Sequence, residues 1–317
     1  MNRRHLMRKF FPLSNTTFHI CLAGLYCILA LVAGVIFKDR HHYKYDLSII
    51  SIFRNEDRFL KEWIDFHRVV GVDHFYLFNN GSQDDYLAVL QPYIDKGIVE
   101  LYDWPHQSHG IQQEWIDIQC AAFRKAIDLS KGQSKWVATI DTDEFLFPTQ
   151  QDNLVEFLKN YDDCTSLAIN WQNFGTSNVK RVPKDKLMIE MLIHQSPVKC
   201  DINTFAKSIF KPEAIKYCIQ PHTMENYSWT YAVDADKNIF NWKFHLSHPI
   251  LVDKIRINHY WSRDDDFFQE TKIAQYKRWI GDKGVEGSIN RNALANQFVN
   301  TEILRFIPAI KHLPPLN

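Results

Sequence analysis

The sequence predicts an α/β fold in which a mainly parallel central sheet is flanked by helices and preceded by one membrane-spanning helix. Three observations carry this expectation. Apolar runs of strand length alternate with amphipathic stretches between residues 47 and 140, the pattern of parallel strands joined by right-handed crossovers. Polar, ligand-capable residues stand where three of those runs end. Residues 18–37 carry no formal charge and are about as long as a helix that crosses roughly 30 Å of hydrocarbon.

In chain order, residues 1–17 form a short basic tail with Arg3, Arg4, Arg8 and Lys9. The apolar stretch 18–37 then reads as a single-pass transmembrane anchor, since it is apolar all round and longer than a signal-peptide core. The slight basic excess before it favours a cytosolic N-terminus. That orientation suits a type II Golgi protein in a eukaryote. In a bacterium the anchor would lie in the inner membrane with the opposite orientation. Residues 38–46 are charged and His-rich, as in a linker.

The globular domain is expected over 47–290, with a C-terminal extension at 291–317. Strand one is 47–53, a continuous apolar run suited to burial on both faces. Helix 56–70 places Phe59, Leu60, Trp63, Ile64 and Phe66 at helical spacing, and Gly71 is its stop signal. Strand two is 73–78, ended by the turn-forming Asn79, Asn80, Gly81 and Ser82. Helix 84–95, strand 98–102, helix 111–129 and strand 136–140 follow. Beyond residue 150 the pattern is mixed: strand-like 166–171 and 204–210, a loop at 173–184, and an amphipathic helix at 264–279.

The composition narrows the function. The chain has 317 residues, 45% hydrophobic and 14% aromatic, which is ample for one large core. Its formal net charge is zero, so no electrostatic footprint points to nucleic acid. Of six cysteines, Cys120, Cys164, Cys200 and Cys218 lie beyond the apolar segment, none in a Cys-x-x-Cys pair. They are read as reduced thiols or, in an oxidising lumen, as a Cys200–Cys218 disulfide.

Chemistry is expected where strands end, because open α/β sheets bind ligands beyond the carboxyl ends of their strands. The strand 136–140 runs into Asp141, Asp143 and Glu144. If the chain stays extended there, alternation turns Asp141 and Asp143 to one side, where both could hold a hard divalent cation. The alternative is a solvated turn that caps the next helix. Arg54, Asn55 and Glu56 end strand one, where they could bind base, ribose or phosphate, while Glu56 could equally be a helix-start acid. Lys207 could neutralise a phosphate. His222, His245, His248 and His259 are each either a third metal ligand or a hydrogen-bonded core residue. Asp264, Asp265 and Asp266 read as a helix start.

A family resemblance joins these pieces. RNEDRFLKEWIDFH at 54–67 resembles the N-E-x5-E-W-x3-H signature that opens glycosyltransferase family 92 and related family 2-like domains. GVDHFY at 71–76 and NNGSQD at 79–84 resemble its next strand and turn, and DTDEF at 141–145 its acid-x-acid-Glu-Phe motif. WQNFGTS at 171–177, KSI at 207–209, PH at 221–222 and NHY at 258–260 follow in the family's order. The resemblance spans roughly residues 47 to 280. It departs at Asn178-Val179 and has no matching motif over 188–202, both where an acceptor would meet the enzyme.

The resemblance implies a GT-A fold and transfer of a sugar, expected to be a hexose, from a nucleotide-sugar donor, expected to be a UDP-sugar, with Mn²⁺ or Mg²⁺. The acceptor would be a glycan or glycolipid hydroxyl. It further implies metal contacts at Asp141, Asp143 and His259, and donor contacts at Arg54, Asn55, Glu56, Asn80, Asp84, Asp141 and Lys207. Inversion, towards which the family leans, needs a carboxylate general base; Asp201, Glu190, Glu225 and Asp234 are candidates. Rival readings are an inactive glycan-binding member of the fold and a metal-dependent phosphoesterase. The latter lacks residues for a second metal.

Overall fold

The computed structural model describes residues 42–228, 230–241 and 249–316. The expected tail, the anchor at 18–37, linker residues 38–41, and His245 and His248 lie outside them. No helix among the described residues is long and apolar enough to cross a membrane.

Strand β1 (Tyr45–Phe53) lies at the heart of the sheet, parallel to β2 (His74–Asn79) on one side and β4 (Ser134–Thr139) on the other. Beyond β2 runs β3 (Val99–Asp103), also parallel. Helices α1 (Asp57–Val69), α2 (Tyr86–Asp95) and α3 (Gln112–Ser130) make the connections. Alternation along β1 explains its unbroken apolar run. Leu47, Ile49 and Phe53 join Leu60, Trp63 and Ile64 of α1 in one core cluster, while Ile50 and Ile52 join Phe123 and Ala126 of α3 in another.

The second half is mixed. β8 (Ala206–Phe210) lies antiparallel between β4 and β6 (Ser166–Asn173), and β11 (Ala232–Val233) and β12 (Ile239–Phe240) extend the edge. β13 (Ile255–His259) pairs parallel with β6 and antiparallel with β5 (Glu144–Pro148). The β9 (Ile215–Gln220) and β10 (Thr223–Asn226) hairpin packs on α3. Short elements α4 (Leu154–Leu158), α5 (Met188–Met191) and β7 (His194–Gln195) fill the connections.

The expected helix at 264–279 is helical but not uniform: α6 (Asp265–Phe267), a π-helical stretch Phe268–Ile273, then α7 (Ala274–Ile280). Asp264 caps its start by accepting from the Phe267 N–H at 2.9 Å. The expected domain limit at 290 falls inside α8 (Asp282–Ala295). Beyond it, β14 (Phe298–Val299) pairs with β7, and α9 (Ile307–Lys311) packs on α1. Residues 291–316 therefore belong to the same compact unit as the sheet.

Candidate active site

The acids after β4 lie on a turn, closed by the Glu144 N–H donating to the Asp141 carbonyl at 3.0 Å. The expectation that alternation carries Asp141 and Asp143 to one side therefore does not apply: a turn has no twofold alternation. The two carboxylates find separate partners. Asp141 Oδ1 accepts from Gln119 Nε2 and Oδ2 from Lys207 Nζ, both at 2.8 Å. Asp143 Oδ2 accepts from Lys272 Nζ at 3.2 Å, and its Oδ1 stands 3.5 Å from His259 Nε2.

The turn is held from behind by α1. Among the described residues β5 has a strand neighbour only in β13, and on its other side the α1 side chains Trp63 and His67 reach its backbone. Trp63 Nε1 donates to the Glu144 carbonyl at 2.8 Å, and His67 Nε2 accepts from the Leu146 N–H at 3.2 Å. His67 Nδ1 donates in turn to the Trp63 carbonyl at 2.7 Å. Burial holds this ring's pKa down at about 3, so it is neutral and its tautomer is fixed by these two bonds. Glu62 accepts from the N–H groups of Met188 and Ile189 at 2.6 and 2.9 Å, anchoring α5. Three signature residues, Glu62, Trp63 and His67, thus build the scaffold of the site.

Strand register then assembles the row in front. β13 sets His259 opposite Glu144 on one side and opposite Asn173 on the other. The Tyr260 N–H donates to the Asp143 carbonyl at 2.8 Å, tying the turn to β13. From α8, Arg291 donates to Asn173 Oδ1 at 2.6 Å and approaches His259 Nδ1 at 3.3 Å. Its guanidinium lies over the Trp261 ring, 4.4 Å from the centroid.

Charge is tightly balanced here. Burial would raise the Asp143 carboxyl, but Lys272, His259 and Arg263 outweigh it and hold it well below the usual carboxylate range. Burial lowers the His259 pKa to about 4, against the pull of Asp143, so the ring is neutral near pH 7. Burial would lower the Lys207 ammonium, but Asp141 and Glu144 outweigh it and raise it. Glu144 is pushed well above the usual range by burial, with Lys207 opposing.

The remaining expected residues separate into groups. Arg54 and Asn55 are exposed at the end of β1. Asn55 adopts φ 56°, a left-handed conformation that asparagine tolerates, and its side chain accepts from the Gln83 N–H at 2.9 Å. Asp84 Oδ2 accepts from the Asp57 N–H at 2.8 Å at the start of α1, leaving its buried Oδ1 without a hydrogen-bond partner among the described residues. Glu56 pairs with Arg263, a buried guanidinium over the Phe59 ring. Asn80 donates to the carbonyls of Trp104 and His106, both at 2.8 Å, so its amide pins the loop after β3. Lys207 is 1% exposed and enclosed between two carboxylates, which its position in the sequence did not reveal.

Three base candidates have other partners. Glu190 pairs with Lys311 at 2.9 Å, and Glu225 with Lys216 at 2.7 Å. Asp234 accepts from the N–H groups of Asp236 and Asn238 in the turn between β11 and β12. Asp201 is exposed and opens the turn whose Ile202 carbonyl accepts from Asn173 Nδ2 at 2.7 Å. His222 Nδ1 meets the Ala206 carbonyl at 3.0 Å, and its ring lies edge-on to Trp171, which packs in turn on His259. The four described cysteines are free, and the Cys218 thiol meets Cys120 rather than Cys200.

Gln119, Asn173, Lys272 and Arg291 escaped sequence reasoning as site residues. Asn173 lies within a quoted motif, which was a usable signal. Lys272 and Arg291 lie on polar helical stretches with no motif around them.

The arrangement admits a divalent ion at one point. Asp143 Oδ1 and His259 Nε2, a hard oxygen and an imidazole, stand as close as two ligands of one ion would. Asp141 does not join them, its oxygens being engaged by Gln119 and Lys207. Among the described residues no three His, Cys, Asp or Glu side chains gather around one point.

Comparison with known proteins identifies the family. The glycosyltransferase family 92 model matches residues 47–283. The chain belongs to glycosyltransferase family 92. A family 92 protein of Ricinus communis is 28% identical over 205 residues, covering 62% of this chain and 34% of that protein. One of Arabidopsis thaliana is 23% identical over 262 residues, covering 78% of this chain and 40% of that protein. The family 92 chain thus spans between a third and two fifths of the length of these relatives. Among solved structures, S. aureus TarS 1–349 is 12% identical, covering 78% of this chain and 71% of that one at TM-score 0.41. Glucosyl-3-phosphoglycerate synthase from Mycobacterium tuberculosis is 13% identical, covering 54% and 58% at TM-score 0.29.

Proposed function

We propose that this family 92 chain is a membrane-anchored GT-A glycosyltransferase that moves a hexose from a UDP-sugar to a glycan or glycolipid hydroxyl, with inversion. The observation that carries the reading is the row Glu144, His259 and Asn173 across three strands, with Asp143 beside it under two cationic helical segments. A diphosphate donor needs positive charge and hydrogen-bond donors where its leaving group forms, and Lys272 and Arg291 supply them here. The apolar segment 18–37 supports the anchor.

Asp143 and His259 are the residues that would hold Mn²⁺ or Mg²⁺, with phosphate oxygens and water completing the shell, as these ions commonly bind. When bound, the ion would stabilise negative charge on the departing nucleotide. The protein's own residues do the rest. Lys272 and Arg291 bring positive charge from the C-terminal helices. Arg54 and Asn55, exposed at the end of β1, are the residues we assign to the nucleoside. Lys207 neutralises Asp141 and Glu144 from below, which keeps the acidic turn compact. Asp201 is the best-situated base, since its turn is tied to Asn173. Its carboxylate would take the acceptor hydroxyl's proton as that oxygen attacks the sugar's anomeric carbon and the nucleotide diphosphate leaves.

The test is a donor screen of the full chain with and without Mn²⁺, read as nucleotide release and sugar transfer. Asp143→Ala should lower transfer about a thousandfold in protein that still folds by circular dichroism, with a lowered melting temperature because Lys272 loses its partner. Retained transfer would remove Asp143 from the site. Glycan binding with no nucleotide release from any donor would instead favour an inactive binding protein.

A further inference from the structure

Asp143 and His259 are each covered by a basic side chain from the C-terminal helical region. Lys272 Nζ sits 3.2 Å from Asp143 Oδ2, and both side chains are largely buried, at 15% and 10% exposure. Lys272 belongs to the π-helical stretch Phe268–Ile273, a wide turn of the kind that recurs at functional sites. Its ammonium also lies 5.7 Å from the Trp261 ring centroid and 5.9 Å from that of Phe267, so the long side chain runs between aromatic walls.

Arg291 covers the other ligand, and its chemistry fixes the histidine's state. A guanidinium can only donate, so its contact at 3.3 Å makes His259 Nδ1 the acceptor. The neutral ring then carries its proton on Nε2 and turns an N–H, not a lone pair, towards Asp143. In this arrangement both potential ligands are already satisfied by the protein: Asp143 is freed when Lys272 moves, while His259 would become a ligand only as its Nε2 proton is given up. A divalent cation cannot share Asp143 with an ammonium: two positive charges a few ångströms apart repel by several kcal/mol even at an effective dielectric near 20.

We propose that Lys272 is a built-in counter-ion that competes with a divalent cation for Asp143, so that metal and donor bind only as Lys272 leaves that carboxylate for the donor's diphosphate. The proposal rests on the donor reading above and adds the order of events. Free protein holds Lys272 on Asp143 and binds metal weakly. The diphosphate offers the displaced ammonium a new partner, and metal and nucleotide therefore bind cooperatively.

The experiment measures Mn²⁺ binding to the full chain by electron paramagnetic resonance, with and without UDP, for the native protein, Lys272→Met and Lys272→Gln. Without UDP, both variants should bind Mn²⁺ at least tenfold more tightly than the native protein. UDP should tighten Mn²⁺ binding to the native protein and do so much less in the variants. Thermal melts establish that each variant is folded, and two substitutions of different polarity guard against one failing. Equal or weaker Mn²⁺ binding in the folded variants overturns the competition while leaving the metal site intact, which Asp143→Ala would reveal by abolishing binding. Absence of Mn²⁺ binding to every protein, with and without UDP, overturns both the metal site and the competition.

Discussion

The two halves of this domain use polar residues in opposite ways. In the parallel half, the polar groups at strand ends and on α1 are spent largely on backbone: Glu62, Trp63, His67, Asn80 and Asp84 each bind N–H or carbonyl groups of another segment. In the mixed half they face one another side chain to side chain: Lys207 with Asp141 and Lys272 with Asp143 as ion pairs, and Arg291 donating to the neutral His259. The first half fixes where the acidic turn lies, and the second sets its charge. The most recognisable residues in the sequence are thus mostly scaffold, while some of the most chemically engaged carry no motif.

The largest effect that would break this division is on stability. Trp63 is fully buried, and its indole N–H is one of two side-chain donors or acceptors that α1 offers to β5. Trp63→Ala should cost about 3–5 kcal/mol, from lost burial, a cavity and an unpaired Glu144 carbonyl. Urea denaturation measures it. A variant that keeps native stability but loses sugar transfer would move Trp63 out of the scaffold and into the chemistry.

A kinetic test sharpens the other side. Asp201→Asn should lower kcat about a hundredfold with little change in KM for the donor. Glu190→Gln, Glu225→Gln and Asp234→Asn should stay within about twofold, because their carboxylates serve exposed or turn-local contacts worth little. A large loss in Glu225→Gln with none in Asp201→Asn would shift the base to the β9–β10 hairpin.

Much of the parallel half is legible from the sequence because burial on two faces leaves an unbroken apolar run, as in β1, and because helices bounded by Gly71 and turns by Asn79 to Ser82 announce themselves. The acidic turn is legible as a location but not as a geometry. Nothing in Asp141, Thr142 and Asp143 says that the chain bends there, since the bend is imposed by β5 turning to pair with β13 over a hundred residues later. Asn173 is visible within its motif, but its meeting with Arg291 depends on where α8 docks, a tertiary fact. Lys207 was expected to face a phosphate, and only the packing of β8 between β4 and β6 reveals that its ammonium is enclosed by carboxylates.

The smallest effect is a slope, and it separates two scaffold residues on the same helix. Burial pushes the Glu62 carboxyl up to about 7, against the hydrogen bonds from Ile189 and Met188. A raised folded-state value means stability that is complete below the unfolded value near 4.5 and is lost as pH rises through about 7. His67 is the reverse: burial holds it at about 3, so its stability is complete above the unfolded value near 6.5 and is lost as pH falls. Between pH 4.5 and 6.5 the two slopes oppose each other within the native protein. Glu62→Gln removes the falling slope, so stability relative to native should rise with pH there. His67→Gln removes the rising slope, so relative stability should fall. Each change should approach but not exceed about 1.4 kcal/mol per pH unit, read from urea denaturation at pH 5, 6 and 7. Other titrating groups remain in all three proteins and cancel in the differences. Parallel curves for the native protein and both variants would show that neither residue changes its protonation on folding.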